Sequence, residues 1–218
     1  MPQGGRPDSG PKGLRTGWFL ISGRACHCDC VPLVAVDTNV IDLFIDCMPT
    51  EEHLDASEAQ ESPPEFEGDD PKRRRELLAC FWLRSLASSW PSTLYTFSDT
   101  LYSEVRHAWA APKLLSFALE ARENHPEEYR VADPHLRPQT AKLTALGVDL
   151  ADAEHVADAV GMGCDVFLTN DHKIRKRSEV IQAVAGLRVL LPSEFLLEAV
   201  RGGAPWPVRA AWPWEMPK

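Results

Sequence analysis

Two short apolar runs constrain this chain more than any other feature. Leu33-Val-Ala-Val36 and Asp165-Val-Phe-Leu-Thr169 are continuous in hydrophobicity rather than alternating. A strand that is apolar at successive positions is buried on both faces, as in a parallel sheet covered by helices. Between and after these runs lie segments of helical spacing: Val40–Cys47, Glu76–Ser88, Thr100–Ala110, Lys113–Asn124, Thr140–Leu146, Asp149–Met162, Ser178–Ala185 and Pro192–Val200. Thr93–Phe97 and Arg188–Leu191 add two further strand candidates. Strands alternating with helices predict an α/β fold with a central, mostly parallel sheet.

The 218 residues, 44% of them hydrophobic, suit one medium-sized domain with appendages. No apolar run approaches the ~20 residues that span a bilayer. Trp18–Ile21 is too short for the ~7–15-residue apolar region of a secretory signal. The expectation is a cytoplasmic protein without membrane partners. Cys47, Cys80 and Cys164 sit in apolar stretches, as reduced thiols do. Cys26, Cys28 and Cys30 form a C-x-C-x-C cluster beside His27, a spacing that matches no common structural zinc pattern.

Composition divides the chain. Residues 1–30, rich in Gly, Pro, Arg and Ser, read as a flexible leader, and residues 31–201 as the folded domain. Residues 49–71 read as an acidic insertion, and residues 202–218, with three Trp and four Pro, as a tail. From Glu51 to Asp70 there are nine acids and no Lys or Arg, which equals the whole formal net charge of −9. The rest of the chain is therefore neutral, and its overall acidity does not exclude a nucleic-acid substrate. Nine carboxylates are also enough to compete with a polyanion for a nearby basic site.

The chemistry-bearing candidates are acids at strand ends. Asp37 closes the first run, and Asp171 follows the second by a Thr-Asn step. In a parallel sheet the carboxyl ends of the strands share one edge, where ligands bind. Two carboxylates there repel unless a cation lies between them. Asp152 falls in the first turn of a helix opened by Asp149, where it serves either as part of a reciprocal cap or as a third acid. Glu104 falls on the helix after the Thr93–Phe97 strand. His155, three positions after Asp152, either braces a carboxylate or faces the core. Lys173, Arg175, Lys176 and Arg177 follow Asp171 directly and are either a solvated charged turn or the candidate nucleic-acid contacts, since acids alone would repel a phosphate backbone. A G-x-G-x-x-G loop after a strand, a phosphate-binding G-x-x-x-x-G-K-[ST] loop and a G-x-S-x-G elbow are all absent from the sequence.

Four segments in order carry a resemblance: Val34-Ala-Val-Asp-Thr-Asn-Val-Ile41, Ser98-Asp-Thr-Leu-Tyr-Ser-Glu104, Leu150-Ala-Asp-Ala-Glu-His-Val-Ala-Asp-Ala159 and Asp165-Val-Phe-Leu-Thr-Asn-Asp171. Together with Arg188-Val-Leu-Leu-Pro-Ser-Glu-Phe-Leu197 they resemble the PIN-domain ribonucleases, including the small toxin members, over Val31 to Arg201. The resemblance implies a three-layer α/β/α domain with Asp37, Glu104, Asp152 and Asp171 as both catalytic and metal-holding acids for Mg²⁺ or Mn²⁺. It implies hydrolysis of RNA to a 5′-phosphate and a 3′-hydroxyl, with Thr38, Asn39, Thr169 and Asn170 orienting ligands or water. It also implies RNA as substrate, and an antitoxin or regulatory protein or a second copy of the chain as possible partners. The alternatives are the toxin of a toxin–antitoxin pair and a non-catalytic module that binds RNA or protein. The leader, insertion and tail exceed the small toxins' length and bear more on the toxin role than on the chemistry.

Overall fold

The computed structural model describes residues 32–47, 70–89, 94–96, 98, 100, 101, 103, 104 and 138–201. The leader, most of the insertion, the Lys113–Asn124 helix and the tail fall outside the described residues.

The elements run β1 (Leu33–Val36), α1 (Thr38–Asp46), α2 (Pro71–Ser89), β2 (Leu94–Thr96), α3 (Pro138–Ala145), α4 (Leu150–Gly161), β3 (Val166–Leu168), α5 (His172–Arg175), α6 (Ser178–Ala185), β4 (Arg188–Leu190) and α7 (Pro192–Arg201). The four strands form one sheet in the order β2-β1-β3-β4, and every neighbouring pair is parallel. Val34, Ala35 and Val36 pair with Val166, Phe167 and Leu168, so the two apolar runs lie side by side at the centre of the sheet.

The pleat sends alternate residues of these strands to two separate cores. Val34, Val36, Val166 and Leu168 pack with α1, α2 and α7 through residues such as Ile41, Leu77 and Phe195. Ala35, Phe167 and Val189 pack with α3, α4, α5 and α6 through Leu143, Val156, Ile174 and Ile181. The result is the expected three-layer α/β/α sandwich. The two faces explain why β1 and β3 carry no polar residue.

The helices begin and end for local reasons. Asp37 takes the extended conformation of an N-cap and accepts the Thr38 N–H at 2.8 Å, so α1 starts two residues before its apolar spacing does. Ser98 accepts the Leu101 N–H at 3.0 Å, as expected of a cap, and Thr100, Leu101, Ser103 and Glu104 are helical. The helix expected from Glu76 starts at Pro71 instead, with the Lys72–Arg75 run inside it. Proline suits a first helical turn, whose N–H groups lack partners, and Arg73 pairs with Asp46 of α1. Lys173 to Arg175 lie in α5, a single helical turn capped by Asp171.

Glu76, buried in α2, accepts both the backbone N–H and the hydroxyl of Ser193 at the start of α7, at 2.9 and 2.7 Å. A side chain of one helix thereby caps another and fixes the layer that backs β1. Among the described residues, no helix is long and apolar enough to cross a membrane.

Candidate active site

The strand order places the site. The chain leaves β1 toward β2 at one edge, and leaves β3 toward β4 at the other. Neighbouring strands whose connections diverge open a crevice at their carboxyl ends. α1 departs to one face and α5 to the other, as Ile41 and Ile174 belong to opposite cores. Asp37 and Asp171 open these two helices, at the mouth of the crevice.

Asp37 is 6% exposed and held from three sides. Its Oδ1 accepts from Thr38 N–H, while its Oδ2 accepts from Asn39 Nδ2 at 2.7 Å and from the Thr169 hydroxyl at 2.5 Å. Its own N–H donates to the Leu168 carbonyl at 2.9 Å. Asn39 Oδ1 accepts the Asn170 N–H at 2.9 Å, and the Thr169 hydroxyl oxygen accepts the Asp171 N–H at 2.9 Å. The four residues expected to orient ligands thus divide. Thr169 and Asn39 orient Asp37, Thr38 serves Glu104, and Asn170 takes part through its backbone. The Asp171 Oδ1 is engaged by Lys173 N–H at 2.6 Å, so this acid caps α5 while facing the crevice acids.

Glu104 arrives from the helix after β2. It accepts from the Thr38 hydroxyl, and from His155 Nε2 of α4 at 3.1 Å. His155, 8% exposed, joins the core and braces a carboxylate at once. The sequence carries a signal for this contact only in the three-residue offset from Asp152, which puts both side chains on nearby turns of α4.

Electrostatics bind the four acids into one unit. Burial pushes the Asp37 carboxyl above its ordinary range; Glu104 adds to this, while Thr169, His155 and Thr38 oppose it. Asp152 is likewise raised, by burial and by the charges of Asp171, Asp149 and Asp37. Glu104 is lowered, chiefly by its bond from His155. Burial depresses His155, but the bond to Glu104, with the charges of Glu104, Asp37 and Asp158, outweighs it and raises the imidazole. Asp149 has the N-cap conformation, yet its side chain makes no capping bond; it stands 3.9 Å from Lys173 Nζ. The reciprocal cap considered for Asp149 and Asp152 is therefore not formed from the Asp149 side.

Among the described residues, no three His, Cys, Asp or Glu side chains stand close enough to make a ligand group by themselves. The donors nonetheless fit a hard cation in kind. They are carboxylates, and burial, with like charges adding to it, already raises Asp37 and Asp152 above their ordinary range. Mg²⁺ is commonly bound by one or two carboxylates plus water and substrate phosphate, not by an all-protein cage.

The four candidate cations divide as well. Lys173, Lys176 and Arg177 line a cleft of about 490 Å³ with Asp149 and Asp152. Arg175 instead pairs with Glu194 of α7 at 2.7 Å.

No family model and no curated protein matches the sequence. Among solved structures, one described as "Crystal Structure of FitAcB from Neisseria gonorrhoeae" is similar, with 16% identity over 73% of this chain and 97% of that chain, and a TM-score of 0.40. A likeness at that level leaves the activity to the geometry of the site itself.

Proposed function

We propose that the chain is an endoribonuclease that hydrolyses RNA phosphodiester bonds with Mg²⁺ or Mn²⁺. The observation that carries this reading is the convergence at the β1–β3 crevice. Asp37 is buried and held there by Thr169 and Asn39, and shares one electrostatic field with Glu104, Asp152 and Asp171. Such a concentration of negative charge has a use when a divalent cation offsets it.

Asp37, Glu104, Asp152 and Asp171 are the residues that would hold the cation. When bound, it would acidify a water and neutralise charge on the phosphate. The chain's own residues do the positioning. Thr169 and Asn39 fix Asp37 Oδ2, while Thr38 and His155 fix Glu104 Oε2. Lys173, Lys176 and Arg177 offer positive charge beside Asp152, where the acids alone would repel a phosphate backbone.

The decisive experiment is cleavage of labelled RNA by the wild type and Asp37→Asn, each with Mn²⁺, Mg²⁺ or EDTA. Metal-dependent cutting that Asp37→Asn loses supports the reading. Two equally inert proteins, with no Mn²⁺ binding by calorimetry, would leave a non-catalytic binding module instead.

A further inference from the structure

The cleft beside Asp152 has a construction that the acidic site does not require. One wall is the turn between α3 and α4, with Gly147 and Asp149; the other is α5 and its exit, with Lys173, Lys176 and Arg177. Gly147 adopts φ +84°, a conformation that L side chains rarely take. A Cβ built on it would meet an Arg177 guanidinium nitrogen at 3.1 Å and the guanidinium carbon at 3.6 Å. The glycine therefore does two things. It turns the chain after α3, and it leaves room for the Arg177 guanidinium to lie against the turn.

The guanidinium lies there without an ion-pair partner among the described residues. Among the described residues, Arg177 and Lys176 have no ion-pair partner, whereas Arg175 and Arg188 pair with Glu194 and Glu198. Cations that line a cleft without an ion-pair partner are suited to receive an anion from outside. Asp152 lines the same cleft and feels Asp37 and Asp171, so a chain of phosphates lying on Arg177 and Lys176 continues into the acidic pocket.

We infer that this cleft is a phosphodiester-backbone subsite, in which Arg177 and Lys176 hold a nucleic-acid phosphate adjoining the acidic pocket and Gly147 keeps Arg177 in place. The inference rests on the nuclease reading for its RNA, but not for its readout. Binding of a labelled single-stranded oligouridylate is measured in EDTA across a salt series, so that no cleavage is involved. Each phosphate neutralised on a single strand contributes a slope of about 0.7 in log affinity against log salt. Arg177→Ala should flatten the slope by about 0.7 and the double variant with Lys176→Ala by about 1.4. Lys142→Ala, an equal loss of charge on exposed α3 outside the cleft, should leave the slope unchanged. Gly147→Ala keeps every charge and should still weaken binding, because it displaces the guanidinium.

Four results would overturn the inference. They are a wild type that does not bind the oligomer, slopes that the cleft variants leave unaltered, equal flattening by Lys142→Ala, and a Gly147→Ala protein that binds like the wild type. An oligothymidylate arm separates RNA from DNA as the source of the phosphates. A polyglutamate arm tests an acidic protein partner, which the exposed Leu146 and Leu150 of the same connection would also suit; equal competition by polyglutamate would replace the nucleic acid with such a partner. Cleavage that persists with unaltered slopes removes the subsite alone. Altered slopes without any metal-dependent cleavage remove the nuclease and keep the subsite.

Discussion

The hydroxyl of Thr169 donates to Asp37 Oδ2 at 2.5 Å, so the residue that follows β3 holds the residue that follows β1. The same oxygen accepts the Asp171 N–H, which sets the start of α5. Thr169 is fully buried. Thr169→Val keeps the shape and deletes both bonds, leaving Asp37 Oδ2 with Asn39 alone and the Asp171 N–H without this acceptor. The expected loss is about 1–3 kcal/mol in urea unfolding, with most of it recovered in Thr169→Ser. A valine variant as stable as the wild type would show that the two strand ends are held by the sheet alone.

His155 and Glu104 predict a pH-dependent contribution to stability. The raised imidazole contributes stability that is fully present below the ordinary histidine value of 6.5 and is lost as pH rises through its folded-state pKa. The lowered Glu104 contributes stability present above its ordinary 4.5 and lost as pH falls through its folded-state pKa. Both are charged between those limits. Asp37 and Asp158 also face the imidazole and act in the same direction. The stability gap between the wild type and His155→Gln, measured in EDTA by denaturant unfolding, should be widest in mildly acid solution and narrow above neutrality. A gap that stays constant with pH would assign His155 a packing role only.

How far the site could be read from the sequence depended on whether a residue acts locally or across the fold. β1 and β3 were legible because strands buried on two faces must be apolar at consecutive positions. Asp37 and Asp171 were legible because one closes such a run and the other follows a second by a Thr-Asn step. α5 was not, since a single turn is too short to show a period, and a four-residue basic run reads equally as loop. The start of α2 was hidden for a related reason: its first turns are charged and partly exposed, and carry no apolar stripe. His155 against Glu104, Arg175 against Glu194, and Arg177 against Gly147 are tertiary meetings with no local signature.

The sequence marks Glu76 only as the start of a helix, yet it is a buried acid with a structural duty. Burial raises its carboxyl, against its bonds from Ser193 and the charge of Arg75. An acid raised in the folded state contributes stability that is fully present below its ordinary 4.5 and is lost as pH rises through the folded value. Glu76→Gln does not titrate. The wild type's advantage over it should therefore be greatest in acid and shrink as pH rises through that window. Glu76→Ala also strips the Ser193 N–H and hydroxyl of their acceptor, and should cost about 1–3 kcal/mol more than Glu76→Gln at any pH. Parallel pH profiles for the wild type and Glu76→Gln would contradict the raised carboxyl.

Asp152 separates what the acids cost the free protein from what they would supply to a cation. Its neighbours Asp171, Asp149 and Asp37 all disfavour its charge. Asp152→Asn removes that repulsion, and the side chain sits partly in solvent, so the variant should unfold no more easily than the wild type in EDTA. With Mn²⁺ the order should reverse. A cation that binds only the folded state stabilises it by about 2.7 kcal/mol at a hundredfold excess over Kd. The wild type should gain on that scale in thermal unfolding, and Asp152→Asn should gain much less at the same Mn²⁺ concentration. Equal gains in both proteins would place the cation away from Asp152. No gain in either would remove the divalent ion from the proposed chemistry and leave the acids at the crevice without a counter-charge to explain them.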